Sequence, residues 1–432
     1  MQLELGSFII DRVEFANRSY LEQKTLFINK AELENLLMED LTIEQVRIEL
    51  VAPGENTRVI HVMDAIEPRV KIMGGDNVYP GVAGASVYRC GSGITYRMNG
   101  VAVITSCMVP LRKAGGLYIA REGILDIDGP NGELTPFSKT WNIVPVITLK
   151  EDQDEEAYEL AIRNAGIRAA RYLGEILRGQ EPDYVKTYSL EGKVDSLPNV
   201  VYVNQIESCG LFGRNYFYGM SYDDLLPTLV HPNEFFDGAL VNALHSHTAV
   251  QTPTYYQTNN PVIEELYRRH GKSLNFCGVI LCRGHFEEID GKHRCANLVA
   301  GMAQMLGAEG VVASWECGGN TFMETMLYLK ECEKMGIKTV LLTYEHGGVD
   351  GTDNPLFYSE PEVDAIISTG SLDRPISFPA VKRVVGGDKI RLAPEEGGRF
   401  IPAHEKLELD YRLEAWCSCN NIGIGKLSCD DF

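Results

Sequence analysis

Two histidines flank a serine at His245-Ser246-His247, inside the apolar run DGALVNALHSHTAV. If that run is extended, residues two apart project to one face, which suits a divalent cation. A metal site normally needs a third ligand. His231, His285 and His346 are the candidates, and sequence does not bring them together; the plainer reading is a hydrogen-bonded histidine pair at a strand end. Glu316 and Glu345 each follow an apolar, strand-like run, where an acidic side chain can orient an ammonium group. Gly319 and Asn320, beside Glu316, offer backbone N–H groups at a helix start, which favours anions. Lys139 can pair with a substrate carboxylate, although a surface lysine is the commoner outcome, and Trp141 reads as core packing. Cys417-Ser418-Cys419 places two thiols close enough to work as a dithiol in a reduction.

These residues need a frame. From Leu274 apolar strand runs (FCGVILC, GVVASW, KTVLLTY, DAIISTG) alternate with helical stretches (KHRCANLVAGMAQMLG, TFMETMLYLKECEKMG). Such alternation requires crossovers and predicts a Rossmann-like, mostly parallel α/β domain over 261–432. Ligands of such sheets lie beyond the carboxyl ends of the strands, where Glu316 and Glu345 fall. No GxGxxG follows a strand, so a dinucleotide site is not expected; tight turns account for most glycines there. Residues 1–150 read as a β-rich domain of short strands between turn signals, with one helix at Lys30–Leu37. Residues 151–260 form a linking α/β region, opened by an acidic run and an amphipathic helix at about 155–177, whose stripe is Leu160, Ile162, Ala165, Ala169, Tyr172, Leu173 and Ile176.

Composition limits the partners. The 432 residues carry a net charge of −20, which argues against nucleic acid or an anionic membrane surface. No apolar run approaches the roughly 18 residues that span a bilayer, and MQLELGSFII lacks signal-peptide features, so the expected location is the cytoplasm. The eleven cysteines show no paired CxxC zinc pattern and read mostly as small buried hydrophobes.

Several stretches in this order and spacing carry a resemblance: LELGSFIIDRVEF, VAPGENTRVIHVMDAIEPRVKI, EGILDIDGPNGELTPFSKTWNIV, PNVVYVNQIESCGLF, PTYYQTNNPVIEELYRRHGKSLNFCGVI, GIKTVLLTYEHGGVDG and NNIGIGKL. Together they resemble the substrate-specific precursor subunit of component B of the anaerobic glycine, sarcosine and betaine reductases, to which a D-proline reductase precursor is related. The resemblance implies an oxidoreductase subunit that acts on a small amino-acid-like substrate and works with a selenoprotein or thiol subunit. It also implies self-cleavage near the middle of the chain, where a cysteine becomes a pyruvoyl group whose carbonyl serves as an electron sink.

Here the chain departs from the pattern. No cysteine lies between Cys209 and Cys277, so a cysteine-derived pyruvoyl is excluded and the processing segment, 242–252, is degenerate. Three readings stay open. Ser246 replaces the thiol, with His245 and His247 assisting proton transfer and a serine-derived pyruvoyl as product. Alternatively the chain is never cut and is a non-catalytic scaffold or small-ligand-binding protein. Or His245 and His247 serve a metal-dependent lyase or hydrolase.

Overall fold

The computed structural model describes residues 1–75, 77–110, 122–208, 210–223, 225–242, 248–316, 318–392 and 399–424. It is a mixed α/β structure with several sheets, the largest six-stranded and mostly parallel. Two four-stranded sheets build the N-terminal part. One runs Tyr184–Ser189, Gln2–Ile9, Gly93–Asn99, Arg69–Met73; the other runs Ile43–Val51, Trp141–Leu149, Val101–Cys107, Val62–Ile66. Helix Lys30–Leu37 forms where its periodicity places it, capped by the Asn29 side chain on the Glu32 N–H.

Helix Glu155–Glu175 covers these sheets and is capped by Asp154, whose carboxylate accepts the Ala157 N–H at 2.7 Å. Its buried face is Tyr158, Ala161, Ile162, Ala165, Ala169 and Leu173, whereas Leu160 is exposed. The stripe is therefore narrower than the apolar residues suggest, and small residues dominate it because the helix lies close to the strands. At Gly174 a Cβ would stand 2.1 Å from the Arg69 carbonyl oxygen, so only glycine fits.

The six-stranded sheet runs Thr228–Val230, Asn275–Gly284, Asn199–Glu207, Gly310–Ser314, Lys338–Glu345, Ile366–Ser371. All neighbours are parallel except the first pair. Counting the parallel strands in chain order gives 2-1-3-4-5, a doubly wound sheet. Its switch point lies between Asn199–Glu207 and Gly310–Ser314, where connections leave to opposite sides and a crevice opens. Helices Ile289–Met305 and Gly319–Lys334 form as the alternation predicts. The first parallel strand comes from residues 199–207, well before that alternation becomes visible.

The C-terminal residues return to the N-terminal part. Strand Arg383–Val385 pairs in parallel with Thr57–Val59, and Arg58 donates to the carbonyls of Pro379 at 2.7 Å and Ala403 at 2.8 Å. Among the described residues no helix is long and apolar enough to cross a membrane.

Candidate functional site

Glu316 follows strand Gly310–Ser314 directly, at the switch point, and is buried. Its Oε2 accepts the Glu207 N–H at 3.0 Å and Asn215 Nδ2 at 3.2 Å, and its Oε1 accepts Gln257 Nε2 at 3.2 Å. No cation is among these partners. Burial pushes its pKa up to about 8, and the charge of neighbouring Glu207 adds to the rise, so the carboxyl holds a proton at neutral pH.

A second buried acid approaches from the N-terminal sheet. Asp64, on strand Val62–Ile66, accepts the Thr254 N–H at 2.9 Å, the Thr254 hydroxyl at 2.6 Å and the Ala65 N–H at 2.9 Å. Burial raises its pKa to about 7, against the opposing pull of the Thr254 hydrogen bonds and the Arg163 charge. Thr254 opens the short helix Thr254–Thr258, which also carries Gln257. Two sheets therefore hold this one turn through two acids.

The processing segment enters here. The Asn242 N–H donates to Thr254 Oγ1 at 3.1 Å, completing a chain Asn242–Thr254–Asp64. The Asn242 carbonyl accepts Arg163 Nη1 at 2.6 Å. Arg163 in turn is paired with Glu159 and lies 4.1 Å from the Tyr216 ring centroid. The Asn242 side-chain Nδ2 is buried with no hydrogen-bond partner among the described residues.

On the far side of the segment the Thr248 carbonyl accepts the Cys417 N–H at 2.7 Å, and the Thr248 hydroxyl donates to the Leu413 carbonyl at 2.5 Å. The same hydroxyl lies 3.1 Å from the carbonyl of Glu122, whose carboxylate holds His61 Nδ1 at 2.8 Å. His245, Ser246 and His247 lie outside the described residues; both flanks are pinned around Asp64.

The other predicted residues fall elsewhere. Glu345 ends its strand, buried, and accepts the Ser368 hydroxyl at 2.8 Å. It shares no hydrogen bond with Glu316 among the described residues. Gly319 and Asn320 begin helix Gly319–Lys334, which has no side-chain cap. Lys139 is exposed, just beyond the turn Pro136–Ser138 of the N-terminal part. Cys417 and Cys419 are fully enclosed, and burial pushes both thiols up, at Cys417 with help from the charges of Asp64 and Glu316. Neither is poised as a thiolate, so the exposed, activated dithiol expected from their spacing is not found. Among the described residues no group of three or more His, Cys, Asp or Glu is placed to hold a metal ion.

Sequence reasoning missed Asp64, Glu207, Arg163 and the His61–Glu122 pair. The available signal was a lone charge inside an apolar strand run, as in Val62-Met63-Asp64-Ala65-Ile66. The stretch TRVIHVMDAIEPRVKI repeats it: Arg58, His61, Asp64, Glu67, Arg69 and Lys71 are all buried. A pyruvoyl terminus requires a serine or cysteine at the cut. The described flanks, 239–242 and 248–253, contain neither, leaving Ser246 as the sole residue of the right type in that span.

Comparison with known proteins gives one consistent result. A family model described as glycine/sarcosine/betaine reductase component B subunits matches residues 1–429. Among curated proteins, the chain is similar to the sarcosine reductase complex component B subunit alpha of Peptoclostridium acidaminophilum, with 36% identity over 392 residues, covering 89% of each chain. It is similar to the glycine reductase complex component B subunits alpha and beta of the same organism, with 32% identity and full coverage of both chains. The betaine reductase complex component B subunit alpha of that organism is 34% identical, over 89% of this chain and 88% of the relative. No solved structure matches the chain.

Proposed function

Because the chain belongs to the glycine/sarcosine/betaine reductase component B family, as a subunit of a reductase complex, we propose that it handles the substrate in reductive cleavage of the C–N bond of a glycine-like or N-methylated amino acid. The observation that carries this reading is the convergence of Asp64, Glu316 and the flanks of the processing segment at the switch point of the parallel sheet. Buried acids that keep their protons near neutral pH are suited to proton transfer. The C–N cleavage would be completed by a selenol or thiol on a partner subunit, since this chain's own Cys417 and Cys419 are enclosed.

A carbonyl cofactor, if formed, would come from Ser246 and would supply an electron sink for an amine substrate. The uncleaved chain would instead contribute binding alone.

Amine release tests the function. The purified chain, combined with its complex partners and a dithiol, is expected to release ammonia from glycine or methylamine from sarcosine, and omitting the chain should abolish release. Release that is the same with and without the chain would defeat the proposal. Denatured mass decides the form. A cut after His245 would divide the 48.0 kDa chain into fragments of about 27 and 21 kDa, in proportion to their lengths. The smaller would gain mass with a carbonyl reagent. One unmodified species of 48.0 kDa identifies the uncleaved form.

A further inference from the structure

Residues 346–365 connect strands Lys338–Glu345 and Ile366–Ser371 without any helix or strand. Connections longer than about 12–15 residues with no secondary structure are uncommon and usually functional. This one lies at the carboxyl end of the parallel sheet, beyond the stacked Trp315 and Tyr344 rings, whose centroids are 5.0 Å apart. Its first residue, His346, places Nδ1 3.0 Å from Asp373 Oδ1, and its N–H donates to the Pro355 carbonyl at 2.8 Å. The other ring nitrogen, Nε2, is enclosed and has no hydrogen-bond partner among the described residues.

What covers it is Phe357, with ring centroids 3.8 Å apart. Phe357 is 47% exposed although it is a large apolar side chain. Its opposite edge faces Gly319, where a Cβ would stand 3.5 Å from the ring. Gly319 opens a 16-residue helix with no side-chain cap, so first-turn N–H groups there are free of a capping side chain. One ring therefore fills the space between a proton acceptor and a set of donors, the two ends an amino-acid zwitterion needs.

We propose that His346, oriented by Asp373, is the base that removes a proton from the ammonium group of the substrate, whose carboxylate lies on the first turn of helix Gly319–Lys334 in the space Phe357 now fills. This rests on the reading that the substrate is a glycine-like amino acid. An N–H bond of the ammonium breaks, an Nε2–H bond forms, and the neutral amine remains. Asp373 compensates the imidazolium. Burial holds the free imidazole below its usual pKa even with Asp373 beside it, so it starts neutral. The other charged groups around the ring are Asp353, packed against Gly348, and Arg374, whose Nη1 reaches the Val349 carbonyl at 3.3 Å. A quaternary ammonium carries no proton to give and gains nothing from this base.

The test uses the full chain, with glycine and betaine as probes. Equilibrium dialysis is expected to give glycine binding weakened tenfold or more in His346→Gln and in Asp373→Asn, with betaine binding unchanged. In ¹⁵N spectra of the wild type, the His346 Nε2 signal, assigned by its loss in His346→Gln, should move to the imidazolium position with glycine and stay put with betaine. Glycine binding equally to wild type and both variants, with that signal unmoved, would overturn the proposal and leave the substrate reading standing. Failure of the wild type to bind glycine, sarcosine or betaine would overturn the substrate reading, and the proposal with it.

Discussion

Lys71–Asp237 and the pair Asp64 and Glu316 are equally hidden from water, yet they are held in opposite ways. Lys71 Nζ sits 2.5 Å from Asp237 Oδ2, and Asp237 also accepts the Gly91 N–H at 2.6 Å and the Thr95 hydroxyl at 2.5 Å. That acid has a cation and a full set of donors. Asp64 and Glu316 have only neutral donors in hydrogen-bond contact, and burial lifts them to about 7 and about 8. An acid with a buried counter-charge fastens one segment to another. An acid without one exchanges its proton near physiological pH, which is what a working site needs and a fastening does not.

The contrast can be broken or sharpened by experiment. The largest effect is expected at the fastening. Lys71→Met strands the Asp237 charge in the interior and should cost about 3–5 kcal/mol in chemical denaturation. A loss under about 1 kcal/mol would mean that Asp237 is not held by Lys71. Next comes Gly174→Ala, whose methyl would press on the Arg69 carbonyl; about 1–3 kcal/mol is expected, and an unchanged denaturation midpoint would show that helix Glu155–Glu175 can shift outward.

Smaller effects are expected at the neutral acids. Glu316→Gln replaces a protonated carboxyl with a neutral group of similar shape, so stability at pH 7 should change by less than about 1 kcal/mol. A loss like that of Lys71→Met would show that Glu316 is ionised. The pH dependence carries a sign. Both acids have folded pKa values raised above their unfolded values near 4, so the stability they contribute is fully present below pH 4 and is lost as pH rises through 7 and 8. Asp64→Asn combined with Glu316→Gln should flatten the decline in thermal midpoint between pH 5 and 8. An unaltered slope would assign that decline to other groups.

Much of the fold was legible because local pattern and burial agree there. Helix Lys30–Leu37 and the alternation of strand and helix after Leu274 follow from periodicity alone, since each connection is short. The first parallel strand was read as a strand but not as part of that sheet, because residues 208–274 separate it from its neighbour Asn275–Gly284. Glu316 was legible from its place at a strand end, and it is found in the network around the processing segment. Glu345 follows the same rule but is tied to Ser368 instead, since nothing in a strand-end position says which neighbour a side chain will meet. Asp64 was not legible: one acid in an apolar strand looks like a surface residue until the strand proves buried on both faces.

Amine release is the most direct test of whether the junction of Asp64, Glu316 and the processing segment is the working site. With glycine and the complex partners, Asp64→Asn and Glu316→Gln should each lower the rate at pH 7 by tenfold or more while the chain stays folded. Full activity in both folded variants would contradict the account and reduce the junction to a second fastening.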